Sequence, residues 1–301
     1  MNHFCTISTV SHLYKTYALA ESLRNQNRDF VLHVLVTDGT EELKAENCRF
    51  WKTADINFGP TAASILGKYK NTPDKLRWSL KPVLLRFLLN AYADKVIYVD
   101  NDQFFYNDYQ FLFDLLNQHS ILLTPHYYKH HPGKDQNWLE ANFKVGLYNA
   151  GFVAAAKAAI PTMQWWAECC EYRCEKNAFR GLFDDQKYLD LVPVIDKGAH
   201  ILRHQGCNVA GWNTELCERK LINGEVLING EYPVVFVHYN AFTIRTIAEG
   251  LDDLLVPFYN TYTNTLKKYK PELNTNELLS AVPVLEKIKY YIWKQATQLG
   301  F

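Results

Sequence analysis

No apolar run in the 301 residues approaches the ~20 residues that a membrane-spanning helix requires. Net charge is missing too. The 32 Lys and Arg balance the 32 Asp and Glu, which argues against a broad nucleic-acid surface, since phosphate binding needs clustered cations. Seven cysteines, at 5, 48, 169, 170, 174, 207 and 217, are an odd number and form no C-x-x-C pair. Reduced thiols are expected rather than a disulfide scaffold or a zinc site. The opening "MNHFCTISTVSHLY" has neither a basic n-region nor an apolar h-region, so no secretory signal is expected and the reading is cytoplasmic. Internal repeats and low-complexity linkers are also lacking.

What is present points to a folded core. Apolar residues make up 48% and charged residues 21%, enough to bury a large interior, and the length suits one large domain or one domain with an extension. The 14% aromatic content fits walls that stack on sugars, and equally a Tyr-rich core. "HFCTISTV" reads as a strand, "LYKTYALAESLRNQ" as a helix and "FVLHVLVTDG" as a second buried strand. A β-α-β unit of this kind implies a parallel sheet covered on both faces. "LRWSLKPVLLRFLLNAY" is expected as a helix kinked or started at Pro82, followed by strands "DKVIYVD", "SILLTPH" and "GLYNAGFVAAA". "PTMQWWAECCEYRCEKN" and "FDDQKYLDLVP" are expected as helices and "VVFVHYNA" as a late strand.

Such sheets bind ligands at the carboxyl ends of their strands. Asp38, Asp100, Asp102, His126 and His238 all follow strands and share that rim. Asp100 and Asp102 in "VIYVDNDQFFYND" can reach one cation: Mg²⁺ and Mn²⁺ take carboxylate oxygens, and Mn²⁺ also accepts an imidazole. A D-x-D pair alone is also an ordinary solvated turn. His126, His130 and His131 lack an acidic partner at helical spacing, so "TPHYYKHHPGKDQNWLEANF" is read as a solvated loop where an acceptor would lie. Trp138, Trp165, Trp166 and Trp212 could stack on sugars; one of the mid-helix pair is expected in the core.

The motifs resemble retaining glycosyltransferases of family 8, which have the GT-A fold and include bacterial lipooligosaccharide galactosyltransferases and glycogenin-like enzymes. The resemblance runs in order over residues 3–245, through "CTISTVSHLYKTYALAESL", "HVLVTDG", "DKVIYVDND", "GLYNAGFVAAA", "FDDQKYLDLV" and "FVHYNAFTIR". It implies a Rossmann-like three-layer α/β sandwich with a mainly parallel sheet, and a catalytic domain over 1–245. Asp100, Asp102 and His238 would hold Mn²⁺ or Mg²⁺. Thr6, Ser8, Tyr14 and Asp38 would lie near the nucleoside, although a helix start at Ser11 and a turn before Gly39 explain that region as well. Asn101, Asn149, Ala150 and Gly151 would face the donor. Lys81 is favoured over Arg86 as the basic residue meeting the donor. Arg245 falls near the family's phosphate-binding lysine, but "HYNAFTIR" lacks the glycine of that segment. Asp185 and Gln186 match the acidic-Gln pair at the sugar, with Asp185 preferred to Asp184. A Gln amide is a poor nucleophile, which favours same-face attack over a covalent intermediate.

The resemblance therefore implies transfer from a nucleotide-sugar, UDP-linked for preference, to a glycan or glycolipid acceptor in surface-polysaccharide synthesis. A sugar nucleotidyltransferase would need a Gly-rich basic loop that "CTISTVSHLYK" does not offer. A catalytically degenerate nucleotide or glycan binder is the other alternative. Residues 246–301 are expected as a helical extension. Leu285, Ile288, Tyr291 and Ile292 share a face near Lys287, Lys289 and Lys294, which suits either a docked helix or peripheral contact with an anionic membrane.

Overall fold

The computed structural model describes residues 1–39, 42–56, 59–133 and 136–279. β1 (Asn2–Ser8), α1 (Leu13–Arg24) and β2 (Phe30–Val36) form the opening unit, and β3 (Cys48–Lys52) follows. Helices α2 (Pro60–Tyr69), α3 (Pro73–Ser79) and α4 (Lys81–Ala91) lead to β4 (Lys95–Val99) and β5 (Gln103–Phe105). Next come α5 (Gln110–Leu115), β6 (Ile121–Pro125), α6 (Gln136–Lys144), β7 (Tyr148–Ala156) and α7 (Ile160–Tyr172). The short strands β8 (Glu175–Asn177) and β9 (Leu182–Asp184) pair as a hairpin before α8 (Val192–Ile195) and β10 (Ala199–Ile201). β11 (Arg219–Ile222), β12 (Glu225–Ile228) and β13 (Tyr232–Pro233) make a small antiparallel sheet, and β14 (Phe236–His238) pairs with β5. α9 (Ala241–Ala248), α10 (Val256–Tyr269) and α11 (Thr275–Leu279) end the described chain.

The central sheet has seven strands in the order β10-β6-β7-β4-β1-β2-β3. Each neighbouring pair is parallel except those of β7, which runs against both β4 and β6. Alternation along the strands builds two cores. Cys5, Ile7, Tyr98 and Val153 pack under α2, α4 and α7, while Phe4, Ile97, Val99 and Phe152 pack under α1 and α5. The three-layer α/β sandwich follows directly from this division.

The reversal of β7 positions the site. Its first residues lie at the rim where its neighbours end, with Val99 opposite Phe152 and the Asp100 N–H on the Gly151 carbonyl at 2.8 Å. The sequence read β7 only as a strand.

Other expectations change. β3 was unforeseen: it is a half-exposed edge, and its burial alternates too weakly to read as a strand. The helix expected over 76–92 is two helices meeting at Leu80, with Pro82 in the first turn of α4. "FDDQKYLDLVP" is not one helix. β9 ends at Asp184, whose φ of 49° is left-handed, and a 3₁₀ turn over Lys187–Leu191 precedes α8. The expected solvated loop contains α6 and the buried Tyr128, while His130 and His131 are exposed.

The described part of the expected extension packs on the body. The Tyr269 hydroxyl donates to Glu21 Oε2 at 2.9 Å, the Tyr106 hydroxyl donates to the Phe258 carbonyl at 2.6 Å, and Tyr239 stacks on Tyr262 at 4.2 Å. The amphipathic face expected around Leu285 lies outside the described residues. Among the described residues no helix is long and apolar enough to cross a membrane.

Candidate active site

Three elements deliver the candidate metal ligands. Asp100 and Asp102 occupy the tight turn between β4 and β5, closed by the Gln103 N–H on the Asp100 carbonyl at 3.1 Å. His238 ends β14, which pairs with β5 so that His238 stands opposite Gln103. One ligand atom from each of Asp100, Asp102 and His238 lies within 4.8 Å of the others. His238 Nε2 is 3.2 Å from Asp102 Oδ1. Two carboxylates and one imidazole at this spacing suit a hard or borderline divalent ion.

Gly151 makes the convergence possible. A Cβ there would lie 2.6 Å from Asn149 Oδ1, 2.7 Å from His238 Cε1 and 2.8 Å from Asp100 Oδ2. Any side chain would displace the cluster.

The charges balance locally. Lys81 Nζ, buried at the start of α4, is 3.4 Å from Asp100 Oδ1 and 3.3 Å from Asp185 Oδ2, and donates to the Ala150 carbonyl at 3.1 Å. Burial opposes the Lys81 charge, but Asp100 and Asp185 outweigh it and hold the ammonium above its ordinary value. Burial also opposes ionised Asp102, yet His238 and then Lys15 hold that carboxyl well below the usual range. His238 rises in turn, since Asp102 more than offsets its desolvation. Burial lifts Asp185, with Lys81 opposing. The Tyr98 hydroxyl, pushed far up by burial, keeps its proton and donates it to Asp100 Oδ1 at 2.7 Å.

A second set of bonds fixes the donor-facing side. Ala150 N–H donates to Gln186 Oε1 at 3.1 Å, and Gln186 Nε2 donates to the Val145 carbonyl at 3.3 Å. The Gly151 N–H donates to Asn149 Oδ1 at 2.8 Å. Asn149 Nδ2 donates to His126 Nε2 at 3.2 Å, and the His126 Nδ1–H donates to the Gly146 carbonyl at 2.9 Å. Burial drives His126 down to about 3, so it stays neutral in this chain of bonds. The Asp184 turn throws Asp185 and Gln186 toward this floor, and Trp166 Nε1 donates to the Asp185 carbonyl at 2.8 Å.

The expected nucleoside residues divide. Ser8 Oγ accepts from Asn101 Nδ2 and from Thr16 Oγ1, each at 3.1 Å, and so joins β1 to the turn of the acids. Thr6 is fully buried on the same face of β1, beneath Ser8 and away from the rim, and its hydroxyl has no hydrogen-bond partner among the described residues. Asp38 Oδ1 accepts from the Val10 N–H at 2.8 Å and ties together the turns after β1 and β2. Tyr14 is half-buried, and Lys270 lies over its ring at 5.3 Å. Arg245 sits within α9 and forms no ion pair among the described residues. Arg86 lies five residues further along α4 than Lys81.

Sequence reading missed Asn208. Its Oδ1 lies 3.3 Å from His238 Nδ1, fully buried in a left-handed conformation with φ 61°, and so leaves Nε2 for the cluster. Nothing in one dimension shows which asparagine of "GCNVAGWN" meets the histidine. Gln103, whose Nε2 donates to the Gly151 carbonyl at 2.8 Å, was likewise hidden inside a short strand.

A profile described as glycosyl transferase family 8 matches residues 5–191. The chain belongs to this family. It is a glycosyltransferase, and Asp100, Asp102, Asn149, Asp185 and Gln186 lie within the matched span. His238 lies beyond it and is joined to it through the pairing of β14 with β5. Two Bacillus subtilis proteins, described as uncharacterized proteins YfnF and YfnD, are each 28% identical to this family 8 chain. The alignments span 261 and 258 residues, 82% of this chain in both cases and 83% and 80% of theirs. A crystal structure of an active-site mutant of LgtC superposes with a TM-score of 0.51 at 14% identity, covering 78% of this chain and 86% of that one. This last likeness concerns the GT-A fold.

Proposed function

We propose that this glycosyltransferase moves a sugar from a nucleoside-diphosphate donor, UDP-linked for preference, to a glycan acceptor with retention of configuration. The observation that carries the reading is the convergence of Asp100, Asp102 and His238 beside the locked Gln186 and the bare Gly151. Asp100, Asp102 and His238 would hold Mn²⁺ or Mg²⁺. When bound, such an ion supplies Lewis-acid neutralisation of the charge on a departing diphosphate.

The chain's own residues do the positioning. Gly151 admits the donor's close approach, and Asn149, Ala150 and Asn101 border it. Lys81 holds Asp185 in place, and Asp185 offers carboxylate oxygens to sugar hydroxyls. Gln186 is bonded at both ends of its amide, so it sets the position of the anomeric carbon rather than attacking it. This supports same-face attack. The anomeric carbon–phosphate oxygen bond breaks, the bond to the acceptor oxygen forms, and the acceptor's proton passes to the leaving phosphate. The family resemblance supports a surface-polysaccharide or lipooligosaccharide acceptor.

A panel of nucleotide-sugars, each with Mn²⁺ and with EDTA, tests this through release of nucleoside diphosphate and NMR assignment of the product anomer. Metal-dependent release from one donor with a retained anomer is expected. No release from any donor would reduce the protein to a binder, and an inverted anomer would overturn the same-face route.

A further inference from the structure

This inference rests on the nucleoside-diphosphate reading and concerns what grips the diphosphate. An ammonium group has three donors. Those of Lys81 face Asp100, Asp185 and the Ala150 carbonyl, which leaves none for a phosphate oxygen. Arg245, the residue expected there from sequence, belongs to a helix capped by Asn240, whose Oδ1 accepts from the Thr243 N–H at 2.9 Å. Other cations are needed.

Two lie close to the acids. Arg77, on α3, lines a cavity of about 150 Å³ together with Trp78, Lys81, Asp100, Asn101 and Asp102. One of its terminal nitrogens meets Asp74, and its buried Nε has no hydrogen-bond partner among the described residues. Lys15 lies in the first turn of α1, beside Thr16, whose hydroxyl bonds the same Ser8 that holds Asn101. Lys15 has no ion-pair partner among the described residues, and the charges of Asp102 and Arg77 both act on it. A half-buried ammonium without a carboxylate of its own, within electrostatic reach of a guanidinium at the wall of the cavity, suits an anion.

We propose that Lys15 and Arg77 clamp the donor's diphosphate on the Asp102 side of the metal cluster. Phosphate oxygens would accept from the Lys15 ammonium and from the Arg77 nitrogens not engaged by Asp74.

Titration calorimetry tests this with UDP, GDP, CDP, dTDP and uridine in the presence of Mn²⁺, and with Mn²⁺ alone. The proteins are the wild type, Lys15→Met, Arg77→Met and Lys15→Arg. Each Met variant is expected to lose roughly tenfold in affinity for the nucleoside diphosphate that the wild type binds, as one charge-assisted bond requires. Uridine and Mn²⁺ alone should bind as before, and Lys15→Arg should keep most of the diphosphate affinity. A purely structural role would lower Mn²⁺ affinity as well, and that result overturns the clamp. Folded Met variants that bind the diphosphate as tightly as the wild type overturn it too, while the nucleotide reading survives. A wild type that binds none of the four diphosphates removes both. Should a Met variant fail to fold, Lys15→Gln or Arg77→Gln replaces it under the same criteria.

Discussion

Two buried knots of charge sit in this molecule, and they behave differently. One joins Asp100, Asp102, His238, Lys81 and Asp185 at the strand ends. The other joins Arg219 to Asp252, 3.1 Å apart with side chains only 4% exposed. In the first, mutual attraction wins over burial at Asp102, which is held low, and at Lys81 and His238, which are held high, while burial prevails only at Asp185. In the second, burial wins. It pulls Arg219 down and lifts Asp252. The first knot adjoins a cavity, and its ligand atoms converge. Arg219 instead turns its nitrogens to the Ala210 and Cys217 carbonyls at 2.7 and 2.5 Å, bracing the loop that carries Asn208. Buried charge therefore serves chemistry where several groups sustain one another beside a space, and serves architecture where one pair closes a loop.

Breaking the first knot should affect turnover most. Asp100→Asn and Asp102→Asn are each expected to lower kcat by roughly 10²–10³-fold, the scale for removing one stabilising group from a preorganised site. The ligand-free melting temperature should fall as well, because the carboxylates that hold Lys81 and His238 charged are stabilising in the folded state. Steady-state kinetics beside calorimetric melting check both halves.

The second knot should respond in stability. Arg219→Met leaves Asp252 buried without its partner, at an expected cost of about 3–5 kcal/mol in urea unfolding. The double variant Arg219→Met with Asp252→Leu should recover most of that loss. A single variant that unfolds like the wild type would erase the contrast.

Asn208 links the two, since it orients His238 and sits in the braced loop. Asn208→Ala is expected to weaken Mn²⁺ binding by roughly 10–100-fold, the usual range for a residue that orients a metal-binding histidine. Equal Mn²⁺ affinity would show that the backbone alone fixes the ring.

The smallest effect is in pH. His126, driven down to about 3 by burial, resists protonation that the unfolded chain accepts below about 6.5. The folded state then binds fewer protons, so stability present above pH 6.5 is lost as the pH falls toward 3. His126 contributes up to ~1.4 kcal/mol per pH unit within that window. Urea unfolding at pH 7 and pH 5 should show a smaller loss on acidification in His126→Gln than in the wild type.

How much of this was written in the chain follows from the range of each interaction. Asp100 and Asp102 were legible because an apolar strand ends on them, and the helix and strands of the opening unit because their periodicity is local. The Asp185–Gln186 pair was legible as a motif, but its setting was not. The left-handed Asp184 that aims it depends on the β8–β9 hairpin, whose strands are too short to carry a pattern. The reversal of β7 leaves no trace in composition, since a strand buried on both faces reads the same in either direction. Asn208 reaches His238 and Arg219 reaches Asp252 across tens of residues, which no spacing rule covers.

The central claim is that Asp100, Asp102 and His238 hold a divalent ion that holds a nucleoside diphosphate. Thermal unfolding of the wild type and of Asp102→Asn, with UDP, GDP, CDP and dTDP, each with Mn²⁺ and with EDTA, tests it most directly. A ligand that binds only the folded state must raise the melting temperature. A rise with one nucleotide that needs Mn²⁺ and disappears in Asp102→Asn is expected. A rise that persists in EDTA or in the variant, or no rise with any nucleotide, would contradict it.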